Sequence, residues 1–237
     1  MKTILHKSET RGHANHGWLD SHHTFSFANY YNPERNHFGA LRVLNDDRVS
    51  AGEGFGTHPH DNMEIISIPL FGDLEHKDSM GNHGVITTGE IQVMSAGTGI
   101  FHSEFNKNKD KEAQFLQIWV FPDIKNVTPR YDQISIAEIA KPDELSQILS
   151  PNPNDQGVWI HQQAWFHIGE LSTGWKGKYN LKIAKNGVYF FVIEGNVTVA
   201  GQALSRRDGL GVTETAEIEI TADSDARLLI MEVPMEV

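Results

Sequence analysis

Short apolar or alternating runs, bounded by Gly, Asn, Asp or Pro, dominate this chain. Gly39–Leu44, Glu64–Leu70, Gly84–Thr88, Glu90–Met94 and Phe115–Phe121 are of this kind, and each reads as a strand. The style returns late in the chain, in Tyr179–Ile183, Gly187–Ile193, Asn196–Val199, Ala216–Ile220 and Arg227–Val233. Many short strands with turn residues between them argue for an all-β sandwich or barrel.

The two sets of strands are separated by a stretch with Pro122, Pro129, Pro142, Pro151 and Pro153 among many polar residues. Within it, Lys141–Leu149 has Pro early and acids in its first turn, which predicts a short helix. The chain therefore divides into a first β domain over 1–125, a linker with a short helix over 126–150, and a second β domain over 151–237. Glu194-Gly195-Asn196 parallels Phe71-Gly72-Asp73, each ending an apolar strand and opening another, which points to an internal duplication.

Size allows this division, since 237 residues suffice for one large or two small domains with buried cores. The apolar share of 39% is ordinary for a soluble protein. No run approaches the roughly 20 apolar residues of a membrane helix. The opening MKTILHKSETRG lacks the apolar core of a signal peptide, so a cytoplasmic location is expected. Absence of cysteine removes disulfides, thiolate nucleophiles and Cys-ligated zinc. A net charge of -11 repels phosphate backbones and disfavours direct nucleic-acid binding, while leaving a protein partner open. Histidine changes the picture most. Of 13 histidines, only His161 and His167 follow His102, so imidazole chemistry belongs to the first half.

There, Gly52–Ile66 holds His58 and His60 two residues apart. On an extended strand, positions i and i+2 share a face, so both imidazoles converge on one point. Pro59 between them donates no ladder hydrogen bond and calls for an edge or distorted strand. Further on, the Gly97–Gly99 turn precedes His102 and Glu104, again two apart. Two antiparallel strands offering such pairs inward supply three imidazoles and one carboxylate. That donor set suits iron, manganese, cobalt, nickel, copper or zinc and leaves positions open for chemistry. Gly52, Gly54 and Gly56 look like a phosphate loop, but no helix or lysine follows, which excludes one. Trp18, His22, His23, Phe25, Phe27, Tyr30 and Tyr31 form an aromatic-rich segment, either a wall over the metal pocket or an arm packed on the barrel.

The spacing of Gly52, His58, His60 and Glu64 resembles the first cupin motif, and that of Gly89, Ser95, Gly97 and His102 the second, with Ser95 in place of a frequent proline. More closely, the chain resembles the pirin family, in Gly17–Phe27, Leu41–Asn45, Thr57–His60, Met63–Ile65, Met94–Gly99, His102–Phe105 and Leu116–Trp119. The likeness is dense from about residue 10 to 133 and looser afterwards. It implies an all-β bicupin, two jelly-roll-type β-barrels; the second half has no H-x-H pair and no histidine from Gly187 to Val233, so that barrel is expected to lack metal ligands. In general cupins the carboxylate ligand comes from the first motif, here Glu64; in pirins it comes from the second, here Glu104. We assign His58, His60, His102 and Glu104 as ligands, with Glu64 the rival.

The resemblance further implies a quercetin 2,3-dioxygenase-like enzyme. Its metal, iron first among the candidates, binds the substrate's 3-hydroxyl; dioxygen adds; the heterocycle opens; carbon monoxide leaves. Glu104 is then both ligand and catalytic base. The expected partners are an aromatic small molecule and O2, with no membrane and no nucleic acid, bound by a monomer. Two alternatives stand beside this reading. One is a metal-bearing regulator of a transcription factor or metabolic enzyme; the other is a barrel whose metal only stabilises it.

Overall fold

The computed structural model describes residues 1–236. Its strands in chain order are β1 Lys2–His6, β2 Gly12–Asn15, β3 Leu19–His23, β4 Leu41–Val49, β5 Gly54–His60, β6 Glu64–Phe71, β7 Leu74–Asp78, β8 His83–Ile86, β9 Glu90–Ser95, β10 Ile100–Asn106 and β11 Ala113–Val120. They continue with β12 Arg130–Ser135, β13 Leu145–Ser150, β14 Val158–Trp159, β15 Trp165–Leu171, β16 Lys176–Asn180, β17 Gly187–Glu194, β18 Val197–Val199, β19 Gln202–Leu204, β20 Gly209–Thr213, β21 Glu217–Ala222 and β22 Ala226–Val233. Among the described residues the only helical piece is one 3-10 turn, Ser8–Thr10. No helix is long and apolar enough to cross a membrane.

These strands make two barrels of the same design. The first pairs a seven-stranded sheet, β12-β9-β6-β11-β4-β3-β2, with a four-stranded sheet, β5-β10-β7-β8. The second pairs β1-β20-β17-β22-β15-β13-β14 with β16-β21-β18-β19. From β4 to β11 and from β15 to β22 the orders correspond strand for strand, while the edges differ: β14 lies parallel to β13 where β2 lies antiparallel to β3. The hairpin turns singled out in the sequence fall at the same place in each barrel. Gly72 (φ 73) and Gly195 (φ 81) both take the left-handed conformation that favours glycine.

Why the central strands read as unbroken apolar runs is now plain. Each large sheet is buried on both faces. On β17, Tyr189, Phe191 and Ile193 join a core cluster shared between the barrels, while Val188, Phe190 and Val192 fill the second barrel's own interior. On β6, Ile66 and Ile68 enter the shared cluster, while Ile65 and Ser67 turn into the first barrel. Burying each large side chain in this shared layer stabilises by roughly 1.5–3 kcal/mol, so the barrels hold one another.

The stretch over 126–150 is not a free connection. Arg130–Ser135 closes one edge of the first large sheet, and Leu145–Ser150 pairs with β15 in the second. From the start of the chain, β1 crosses to pair with β20 of the second barrel. The helix expected at Lys141–Leu149 does not form. Asp143 sits at φ 58, which stops a right-handed helix before it begins. The Leu145–Leu149 segment then gains cross-strand partners in Gly169, Ile168, His167 and Phe166. Tertiary pairing has overridden local propensity.

Candidate metal centre

The small sheet of the first barrel assembles the site. β5 is its edge strand, which tolerates Pro59. It lies antiparallel to β10, with His58 opposite His102 and His60 opposite Ile100. A bulge between His102 and Glu104 sets Glu104 opposite Phe55 on β5 and opposite His76 on β7.

Ligand nitrogens of His58, His60 and His102 lie within 4.8 Å of one another. Their ring centroids are 4.4 to 4.9 Å apart. Both ring nitrogens of His102 are buried without a hydrogen-bond partner. The Nδ1 of His58 is engaged by the Gly56 carbonyl at 2.8 Å, so its Nε2 is the atom left for a ligand. An orphaned buried nitrogen costs about 1–3 kcal/mol, and a cation between the three rings would satisfy them together. Burial, then the nearby charges of His58, His60 and His76, holds His102 down at about 2. Burial and His58 likewise hold His60 down at about 4. Neutral imidazole is the form that ligates. The residues fit a divalent ion.

Glu104 is buried like His102, 2% exposed, and a ligand oxygen of it groups within 4.8 Å of His102 and His76. It does not group to that limit with His58 and His60; His102 is the shared member. Ser67 donates to its Oε1 at 3.0 Å and Gln117 Nε2 to its Oε2 at 2.7 Å. Burial pushes Glu104 up to about 7, against the pull of those two donors. Glu64 sits elsewhere. It opens β6 on the face turned to the other barrel, where Ser95 Oγ donates to it at 2.6 Å and His161 Nδ1 lies at 3.2 Å. Parity with His58 and His60 does not carry across the intervening turn, where Asn62 adopts φ 43.

Sequence reasoning missed three contributors. His76, fully buried on β7, has its Nε2 3.1 Å from Asp78 and its Nδ1 unpartnered beside the site. The alternation Leu74, His76, Asp78 on one face was the available signal. Ser67 and Gln117 lay inside apolar runs, and a polar residue at an inward position of such a run marks a site. They belong to a row across the large sheet, Gln92, Ser67, Gln117, Asn45 and His23, each opposite the next. Apolar clusters bracket this row, around Phe115 on one side and Ile65 on the other.

A cavity of about 520 Å³ opens onto the centre. Its walls include Phe27, Tyr30, Phe55, His58, His60, Glu104 and Trp119. Both readings of the aromatic segment thus hold in part: Phe27 and Tyr30 wall the cavity, while Phe25 is packed in the shared core. In the second barrel the matching positions follow from register. Leu74 lies opposite Asn106 and Val197 opposite Ala222, which aligns His102 with Ile218 and Glu104 with Ile220. Tyr179, opposite Ile218, takes the place of His58. Ser67 and Gln117 correspond to Phe190 and Ile230.

Residues 5–120 match the family model described as pirin, and 147–233 one described as the quercetinase C-terminal cupin domain. The chain is 45% identical to the quercetin 2,3-dioxygenase of Escherichia coli K12, over 97% of this chain and 98% of that protein. This chain belongs to the pirin family. Another relative, a pirin-like protein of Caulobacter vibrioides, is 37% identical over 93% of this chain and 95% of its own. The solved structure of the bacterial pirin YhhW from Escherichia coli, in complex with nickel(II), superposes on this pirin with a TM-score of 0.94 at 43% identity, covering 100% of both chains. Like its relatives, this pirin is a bicupin.

Proposed function

We propose that this pirin opens the heterocycle of a flavonol such as quercetin with dioxygen and releases carbon monoxide, using one divalent metal ion held by His58, His60, His102 and Glu104. The observation that carries this reading is an aromatic-walled cavity lined by His58, His60 and the buried carboxylate of Glu104, with His102 grouped beside them. Iron is our first candidate ion, and nickel, present in the solved relative, suits the same donors. A divalent ion there supplies Lewis acidity that lowers the pKa of the substrate's hydroxyl.

The chain's own residues do the rest. Glu104 accepts the hydroxyl proton at a carboxylate oxygen. Ser67 and Gln117 hold that carboxylate in one orientation. Trp119, whose ring packs edge-on to His60 at 5.0 Å, together with Phe27 and Phe55, offers flat surface to an aromatic ring and excludes water. A cavity of this size suits a small molecule. The test is aerobic turnover of quercetin by metal-loaded protein, with carbon monoxide measured. Release that disappears in His60→Ala supports the reading. No carbon monoxide from the wild-type protein loaded with any of the candidate ions overturns it.

A further inference from the structure

Across the cavity floor from Glu104 lies a second polar cluster that the metal centre does not use. Asp47 on β4 and Ser21 on β3 face each other in register, with His23 two residues on. Ser21 Oγ donates to Asp47 Oδ1 and meets His23 Nε2 at 2.8 Å. All three are buried, at 4%, 3% and 3% exposure, and all three line the cavity. The chain is open at both ends. Among the described residues Asp47 Oδ2 has no hydrogen-bond partner, and His23 Nδ1 is buried and unpartnered. Beside them Asn45 Oδ1, another buried acceptor on the cavity wall, is also unpartnered.

Such a group is expensive to bury, and the fold does not require it. The other barrel carries the control. Phe115 is opposite Asp47 as Leu228 is opposite Gly169, so Asp47 corresponds to Gly169 and Ser21 to Leu145. There the same sheet positions are apolar and touch directly, with a Leu145 methyl filling the space above Gly169. In the first barrel the polar pair instead faces a cavity. Burial pushes Asp47 up to about 7, with Asp46, Glu104 and Asp20 adding to the rise against the Ser21 hydrogen bond. Burial, then His22, His13, Arg11 and His16, holds His23 down at about 4, so its ring is neutral; with Nε2–H donating to Ser21, the free Nδ1 is an acceptor.

We propose that Asp47, Ser21 and His23 form a hydroxyl-binding subsite that engages a second hydroxyl of the aromatic substrate, beyond the one at the metal centre, and selects polyhydroxylated aromatics over singly hydroxylated ones. This rests on the flavonol reading above. A site built to hydrogen-bond a hydroxyl discriminates strongly against a ligand that lacks it, because its own buried polar atoms are then left unpaired.

The test compares quercetin, hydroxylated on both of its ring systems, with 3-hydroxyflavone, which has only the hydroxyl and ketone that would face the metal. Metal-loaded wild type, Ser21→Ala and Asp47→Asn are assayed with both. The wild-type KM for 3-hydroxyflavone is expected at least about tenfold above that for quercetin. Ser21→Ala is expected to raise the quercetin KM about tenfold, with kcat and the 3-hydroxyflavone KM within about twofold of wild type. Equal losses on both compounds, or none on either, overturn the subsite. If Asp47→Asn does not fold, Ser21→Ala decides alone. If wild type turns over neither compound, the flavonol reaction fails, yet the subsite is still judged by equilibrium binding of the same two compounds, followed by tryptophan quenching. Equal Kd values for both in wild type, or a quercetin Kd unchanged in Ser21→Ala, overturn it; a preference for quercetin that Ser21→Ala abolishes supports it.

Discussion

Replacing Glu104 with glutamine should make the metal-free protein more stable and metal-blind at once. The carboxyl titrates at 4.5 in an unfolded chain and at about 7 in the fold. Because the folded value is raised, the folded state binds the proton more tightly between those limits. Stability of the metal-free protein therefore falls as pH rises from 4.5 to about 7 and stays low above it. The displacement corresponds to about 3 kcal/mol for this fully enclosed group. Glutamine copies the neutral form, but its amide cannot take donors from both Ser67 and Gln117 without Gln117 turning over, which costs about 1 kcal/mol. Glu104→Gln should thus gain about 2 kcal/mol over wild type near pH 8 and lose about 1 kcal/mol near pH 4, once chelator has removed metal from both. Urea unfolding at the two pH values reads this directly, and metal analysis reads the other half, since the variant should retain little ion. A variant less stable than wild type at the higher pH would refute the claim that burial without metal strains this carboxylate.

Glu64→Gln should leave metal content unchanged, because its carboxylate is engaged by Ser95 and His161 on the face away from the histidine trio; elemental analysis beside Glu104→Gln checks it. His167 is buried in the second barrel with Nδ1 unpartnered, and burial, then Lys182, holds it down at about 4 from an ordinary 6.5. Its contribution is intact above 6.5 and is lost as pH falls towards 4, so His167→Leu should gain about 2 kcal/mol more at about pH 5 than at about pH 8 in denaturant unfolding. Phe166, fully buried in the shared cluster, should cost about 3–5 kcal/mol on change to alanine. Both barrels should then still unfold in one transition, seen as coincident fluorescence and circular dichroism curves; two separated transitions would contradict a shared core.

Much of this was legible before any coordinates. Alternation and turn residues located the long central strands, and the two i, i+2 pairs located the histidines, because both signals are local. What stayed hidden was set by distant partners. β12 reads Arg-Tyr-Asp-Gln-Ile-Ser and is a strand only because β9 lies beside it. β2 and β3 carry His13, Ser21 and His23 where a core strand would carry apolar residues, since they face a cavity instead. Leu145–Leu149 suits a helix by composition and becomes a strand by pairing with β15. Glu64 shows the limit of counting by twos: the count holds within a strand and fails at the first turn.

The duplicated architecture separates what the fold needs from what the chemistry needs. Both barrels solve the same packing problem with the same order of their eight central strands. One does so with Phe190, Ile230, Ile218 and Ile220 in its interior, closed at these positions by apolar contact. At the corresponding places the other buries Ser67, Gln117, His102 and Glu104. Each of those is less favourable to bury than its apolar counterpart unless it is paired or bound. The first barrel can carry them because its outer sheet face leans on the shared core, which the second barrel half supplies. On this argument the second barrel is not a vestige. Its half of the shared layer is what lets the first barrel keep a polar interior that opens on a cavity.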